Sequence, residues 1–388
     1  MLNLELVKKE FGYMDGHIYL NSSLVGMPPE RVLAASRTFM DDYVSTFNAS
    51  IKTDLLAKRN MAKEKIAQLI HADPSEIIWQ KNVTEANATF AMGFDGLSPG
   101  TNAIILDCDF PNTILPWINA HHVRGFNLKV YKSIRGQVPA RDLIAMMDDN
   151  TRVVAVAAVQ SGWGHFVDLK ALGEECRKRG IAFFVDAYQA LGRVNIDVKE
   201  CCIDYLTCAG AKTLMGTWGA SFVYATKEIA NRITPPTAGY QSAKRHTMAP
   251  GVCEEFDEID FKEGSARLEA GGQCTYAIEA MGLGVDLILE LGKENVQEHV
   301  LGLERVFREG LSKLPLDVIT PEDPARMSSM VVLLFPEEHT DRLKKIFEER
   351  KIYATVRPGY IRFTIALFNT EEDIQITLEA LKELCNGF

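Results

Sequence analysis

No stretch of this 388-residue chain approaches the run of about 18 apolar residues that a membrane helix needs, so a helical membrane protein is not expected. The opening MLNLELVKKEFGYMDGH lacks the apolar centre of a secretory signal and carries acids there instead, which points to the cytosol. Cysteine pairs of the CxxC type are missing too. Cys201 and Cys202 are adjacent and the other cysteines are scattered, so neither a metal site nor a dithiol redox centre is expected, and the thiols should be reduced. An excess of positive charge is also lacking. With 52 acidic against 42 basic residues the net charge is −10, and nucleic acid or an anionic membrane surface is a poor expected partner. Repeats and low-complexity segments are absent. What remains is an ordinary globular composition, 47% hydrophobic and 24% charged, in a chain long enough for two domains.

From about residue 77 to 226, short β-rich runs alternate with helical stretches, the pattern of a parallel sheet wrapped by helices. The strand candidates are IIWQKN, NAIILDCD, NLKVYKS, TRVVAVAAVQ, IAFFVDAY, DYLTCAGA and GASFVYAT. Most show no polar alternation, as expected of strands buried on both faces. Helical segments such as DLKALGEECRKRG lie between them, the latter closing on Gly180. A Pro-, Gly-, Ser- and charge-rich stretch after residue 230 reads as a long loop, and Thr275 to Leu314 as a linking helix in which Gly282 and Gly284 either kink or permit close packing. The fold class is therefore α/β, with a large domain over 15–270 and a smaller α+β domain formed by 1–14 and 271–388. The FNTEED sequence predicts a capping box of Thr370 and Asp373 opening the last helix.

In a parallel α/β sheet, ligands bind beyond the carboxyl ends of the strands, so polar residues placed directly after apolar runs carry the functional expectation. Asp186 ends IAFFVD, Lys212 ends DYLTCAGAK, and Thr84 follows IIWQKNV and opens a helix. Each has a plain structural alternative: a turn cap, a solvated lysine, an ordinary N-cap. Together they meet the needs of pyridoxal 5'-phosphate, which requires an amine for its aldehyde, a carboxylate for its ring nitrogen and a helix N-terminus for its phosphate.

VDAYQALG followed by the lysine in GAKTLMGTWGASFVY resembles the class V branch of the fold-type I pyridoxal-phosphate enzymes. That group holds cysteine desulfurases, selenocysteine and cystine lyases, kynureninases, isopenicillin N epimerase-like proteins and some aminotransferases. The resemblance extends from IYLNSSLVGMPPERV through NVTEA to YIRFTIALFNTEEDI. It implies a mainly parallel seven-stranded sheet, a homodimer with sites at the subunit interface, and an amino-acid substrate. It also implies that Lys212 bonds the cofactor's aldehyde, Asp186 pairs with the ring nitrogen, Gln189 contacts the phenolic oxygen, Thr84 and the backbone at Val83 seat the phosphate, Phe110 stacks on the ring, and Arg362 grips the substrate carboxylate. Core packing for Phe110 and an exposed strand cation for Arg362 are the structural alternatives.

Departures from the family pattern are equally informative. Ala209, Gly210 and Ala211 stand where polar phosphate ligands are usual, Gly272 stands where a partner-subunit threonine is usual, and Ser161 replaces a common asparagine on the substrate side. Tyr240, Gln241 or Lys244 could supply the phosphate contacts. The segment EEHTDRLKKIFEERKIYATVRPG before Arg362 holds no cysteine, which disfavours a persulfide-forming desulfurase; Cys253 is the other loop thiol to consider. His165 is the candidate second acid or base, with His121 and His122 expected on a helix surface. The expected activity is a lyase or aminotransferase-like reaction on an L-amino acid, with carbon–sulfur β-elimination ahead of transamination and epimerisation. A binding module of the same fold that has lost catalysis is the non-enzymatic alternative.

Overall fold

The structure is a computed structural model that describes residues 1–45, 50–244 and 259–387. All seven expected strands form, in one sheet. Its spatial order is Ile77–Gln80, Ser221–Ala225, Tyr205–Ala209, Ala182–Asp186, Thr151–Ala157, Asn102–Leu106 and Asn127–Tyr131. Ser221–Ala225 runs antiparallel to both of its neighbours, and the remaining pairings are parallel. Alternate side chains of a strand point to opposite faces. Accordingly, Phe183 and Val185 join one apolar cluster and Ala182 and Phe184 the other. Both faces are covered, which explains the missing polar alternation. Only the edge strand Asn127–Tyr131 is substantially exposed.

Parallel alignment brings the ends of Thr151–Ala157, Ala182–Asp186 and Tyr205–Ala209 to one edge of the sheet, with Ala157 opposite Asp186 and Asp186 opposite Thr207. The antiparallel strand starts at that same edge, because Ser221 pairs with Ala209 and Gln80. This edge is where polar residues converge.

A second sheet, ordered Thr355–Arg357, Tyr360–Thr364, Met330–Leu334 and Asp317–Val318, is antiparallel, and its core gathers Phe307, Val331, Leu333, Ile361 and Phe363. The short strand Ile18–Tyr19 pairs in parallel with Ile352–Tyr353. Core membership crosses the expected boundaries: Ile18 and Leu20 join this smaller core, whereas Val7, Phe11, Ile278, Met281 and Val285 pack into the core of the large sheet. The capping box of Thr370 and Asp373 opens the helix Glu371–Cys385 as expected.

The linking segment is two helices, Thr275–Leu291 and Lys293–Leu311, and not one. The break falls at Gly292, at φ 79° and ψ 111°, a conformation that glycine adopts at little cost. Gly282 and Gly284 lie within the first helix and serve close packing: a Cβ at Gly284 would stand 2.0 Å from the Leu214 carbonyl oxygen. That helix therefore presses directly on the loop that carries Lys212. Most of the long loop after 244, including Cys253, lies outside the described residues. Among the described residues no helix is long and apolar enough to cross a membrane.

Candidate active site

Asp186 is the last residue of a fully buried strand, and three donors hold its carboxylate. Thr113 donates its hydroxyl to Oδ2 at 2.7 Å, Asn87 its amide to the same oxygen at 3.4 Å, and the Tyr188 backbone N–H reaches Oδ1 at 3.0 Å. Asn87 is itself oriented by the Thr207 hydroxyl, which donates to its Oδ1 at 2.8 Å. Thr113 sits in the first turn of the helix Pro111–Arg124, which starts directly after Phe110. One helical turn thus presents both a ring and a donor to the site.

Lys212 follows the next strand. Its Nζ lies 4.2 Å from the Tyr188 ring centroid and 5.6 Å from that of Phe110. Burial pushes the amine down to about 8, and the charges of Arg362 and Arg193 act in the same direction against the attraction of Asp186. The backbone here admits no side chain on its neighbour. Gly26 donates its N–H to the Ala211 carbonyl at 2.9 Å, and a Cβ at Gly26 would stand 1.7 Å from the Lys212 carbonyl oxygen.

Asp186, Gln189, Lys212, Phe110, Ser161, Val83 and Thr84 all line one cleft at the carboxyl edge of the sheet. Gln189 donates Nε2 to the Ser23 carbonyl at 3.1 Å, and its Oε1 is buried without a protein partner. The amide nitrogen carries two N–H groups, so the second remains for a further acceptor such as a phenolic oxygen. Val83 and Thr84 open the helix Val83–Gly93, whose N-cap Asn82 accepts the Glu85 N–H; the amides of its first turn have no acceptor within the helix.

Arg362, on the central part of the small sheet, reaches across to this edge. Its Nη1 donates to the Ser161 carbonyl at 2.6 Å, its Nη2 to the Thr355 hydroxyl at 3.2 Å, and its buried Nε has no protein partner. It is buried, not an exposed strand cation. It stands behind the Ser161 wall and does not itself line the cleft. Phe110 is 46% exposed, which is not core packing.

His165 is not brought to Lys212. The chain doubles back after Gln160, with Gly164 at φ 71° and the Gln160 N–H bonded to the His165 carbonyl, so Ser161 meets the Lys212 cleft while His165 faces another, bounded by Val138, Thr320 and Arg326. Burial first, and then the Arg326 charge, push its imidazole down to about 4. Of the proposed phosphate residues, Gln241 donates to the Tyr240 hydroxyl and Lys244 pairs with Asp260 at 3.3 Å; none lines the cleft. Gly272 borders a different depression together with Lys81 and Glu85. His121 and His122 lie in the last turns of the helix Pro111–Arg124, as expected.

Sequence reasoning missed Thr113, Asn87, Tyr188, Lys81, Trp218 and the buried Arg193. Tyr188 was readable, since it lies between Asp186 and Gln189. Lys81 was too, because it directly precedes the N-cap of the Thr84 helix. Thr113 and Asn87 carry no local signal, for their partner is about a hundred residues or fewer away in sequence and is met only through sheet packing.

Known proteins resemble this chain along nearly its whole length. A probable cysteine desulfurase of Methanothermobacter thermautotrophicus is 24% identical over 99% of this chain and 98% of its own. An uncharacterized aminotransferase of Bacillus subtilis, YcbU, is 22% identical over 97% of each. Among solved structures, a cysteine desulfurase from Thermococcus onnurineus superposes with a TM-score of 0.87 at 20% identity, covering 100% of this chain and 99% of that one. The cystine C-S lyase C-DES, in complex with its reaction product cysteine persulfide, gives 0.85 at 20% identity, covering 96% and 99%. The Aminotransferase class-V family model matches residues 18–376, and the chain belongs to that family of pyridoxal-phosphate-dependent enzymes.

Proposed function

We propose that this enzyme acts on an L-amino acid and breaks a carbon–sulfur bond by β-elimination, with Lys212 as covalent anchor and proton carrier. The cleft fits pyridoxal phosphate. Lys212 offers the amine, Asp186 the carboxylate, Phe110 a face over the amine, and the start of the helix Val83–Gly93 a seat for an anion. Among the residues that line the cleft, Gln189 has a buried Oε1 without a protein partner, as a polar atom awaiting a polar ligand does. Bound there, pyridoxal phosphate supplies the electron sink that makes loss of an α-proton accessible.

The protein's own residues do the rest. Three donors fix the Asp186 carboxylate in place. Arg362 can exchange the Ser161 carbonyl for a substrate carboxylate, for which its planar fork of donors is suited. Lys212, with its amine lowered to about 8, holds a useful uncharged fraction near neutral pH and can take the α-proton. The β-sulfur leaves with the carbon–sulfur electron pair, and hydrolysis gives pyruvate, ammonia and the freed thiol or persulfide.

One observation carries the preference for elimination over persulfide formation on the protein. The cysteine-free segment before Arg362 folds into the helix Thr340–Glu349 and the short strands Ile352–Tyr353 and Thr355–Arg357, and no described cysteine lines the cleft. A second reading, sulfur transfer to a protein thiol, is favoured by the exposed Cys274, whose Sγ lies 3.9 Å from where a Cβ on Gly219 at the cleft would stand. Incubation of the holoenzyme with cystine or cysteine separates them. Pyruvate and ammonia, without added keto acid and unchanged in Cys274→Ser, support elimination; alanine from cysteine, lost in Cys274→Ser, supports sulfur transfer. A requirement for a keto acid would replace both with transamination. The reading includes a cytosolic homodimer in which Gly271 to Gln273, beside Lys81, face a second copy; a monomeric mass in solution would remove that part.

A further inference from the structure

Arg193 is an unusual residue to find in an interior. It is 3% exposed, and its buried Nε has no protein partner. The nearby carboxylate, Glu304, is 0% exposed and is already engaged by Arg308 at 2.7 Å. A guanidinium buried without its own counter-ion is not a device for stability, since a packed apolar side chain would serve better.

Its contacts lead to the Gln189 side of the cleft and to the strand that carries Arg362. Nη2 donates to the carbonyl oxygen of Gln189, and Nη1 donates to the Ser329 hydroxyl at 3.2 Å. Ser329 is a hub. It adopts φ 63°, in the left-handed region that a serine seldom enters, and there its N–H donates to Glu304 Oε2 at 2.6 Å. Its hydroxyl donates to the Ile365 carbonyl at 2.9 Å, and its own carbonyl accepts the Ile365 N–H at 2.9 Å. Ile365 continues the strand Tyr360–Thr364 that carries Arg362. One guanidinium therefore ties the Gln189 loop of the large sheet to the Arg362 strand of the small one. Arg193 also borders a small pocket together with Lys212, Thr213 and Ala366.

We propose that Arg193 is a positioning residue: it holds Gln189 and the Arg362 strand in register and places a second positive charge behind the carboxylate-binding position. The assignment rests on the proposed function. The charge arrangement is consistent with it. After burial, the charges of Arg362 and Arg193 disfavour protonation of Lys212 and the charge of Arg362 disfavours that of Arg193, while Asp186 opposes the first effect and Glu304 the second. A carboxylate on the substrate supplies the missing negative charge.

The test uses the holoenzyme and two probes, glycine and glycinamide, which share the amine and differ in the carboxylate. Their dissociation constants are read from the change in cofactor absorbance. Arg193→Gln is expected to weaken glycine about tenfold relative to glycinamide. Arg193→Lys, which keeps the charge, should recover most of that ratio, and Ser329→Ala, which keeps the charge but cuts the tether, should fall between. A merely structural role would lower the melting temperature and leave the glycine-to-glycinamide ratio at the wild-type value in all three variants, which would overturn the proposal. Should Arg193→Gln fail to fold, the ratio in Ser329→Ala and Arg193→Lys decides in the same way. Wild type and Arg362→Gln serve as references. If wild type takes up no cofactor, or Arg362→Gln keeps the preference for glycine, the proposed function itself fails and this assignment with it. If both references behave and the Arg193 and Ser329 variants match wild type, only the assignment fails.

Discussion

Replacing Lys212 with methionine should make the cofactor-free chain more stable. Folding moves this amine from the ordinary 10.5 to about 8, chiefly by burial and then by the charges of Arg362 and Arg193. At about 1.36 kcal/mol per pH unit, the displacement corresponds to about 3 kcal/mol. The sign follows from proton counting: between pH 8 and 10.5 the unfolded chain binds the proton more tightly than the folded one, so stability rises with pH across that window. Below pH 8 the full penalty is present; above 10.5 it has vanished. Lys212→Met removes the buried charge, keeps most of the side-chain length, and should gain about 3 kcal/mol at pH 7 and almost nothing at pH 10.5. Urea unfolding of both proteins, stripped of cofactor, at the two pH values measures the difference. Equal stability at pH 7, or a gain that does not shrink with rising pH, would show that Lys212 carries no desolvation penalty and would refute the account of its basicity.

Thr113→Val removes the 2.7 Å donor to Asp186 without changing side-chain shape; a bond to a charged acceptor is worth about 1.5–3 kcal/mol, so the cofactor's dissociation constant should rise roughly tenfold or more, with Thr113→Ser near wild type by fluorescence titration. Gly26→Ala places a Cβ 1.7 Å from the Lys212 carbonyl oxygen and should lower stability by more than about 3 kcal/mol, seen as a large fall in melting temperature or a failure to fold. Buried Asp109, whose Oδ2 accepts the Ala157 N–H at 2.9 Å while Oδ1 has no partner, is pushed up to about 8 chiefly by burial. Its folded form retains a proton that the unfolded chain releases near pH 4. Its contribution is therefore fully present below that pH and lost as pH rises toward 8, and Asp109→Asn should flatten the decline measured by thermal melts from pH 5 to 8.

How much of the site could be read in advance differs residue by residue. Asp186 and Lys212 were visible because a buried strand announces itself by its apolar run, and the first polar residue beyond it must emerge at the sheet's edge. Thr84 was visible because a strand followed by a helix start has one geometry. His165 was misplaced on the same logic. It too follows an apolar strand, but the reversal at Gly164 turns it into a neighbouring cleft, and the sense of that reversal depends on contacts with residues more than a hundred positions away, such as Arg326 and Ser328. The break in the linker was not legible: one helix was expected, with Gly282 and Gly284 as the glycines to kink it or permit close packing, and they serve packing against Ala62 and Leu214 while the break falls at Gly292.

The sequence by itself determined the seven strands, the α/β class, and the amine, carboxylate and helix start that pyridoxal phosphate requires, because continuous apolar runs bounded by turn residues and strand-end placement are local consequences of residue order. Only the tertiary structure decided that Thr113 and Asn87 hold Asp186, that Arg362 waits behind Ser161, and that Arg193 and Ser329 join the two sheets. Those pairings depend on which distant segments pack together, and packing is settled by the whole core at once.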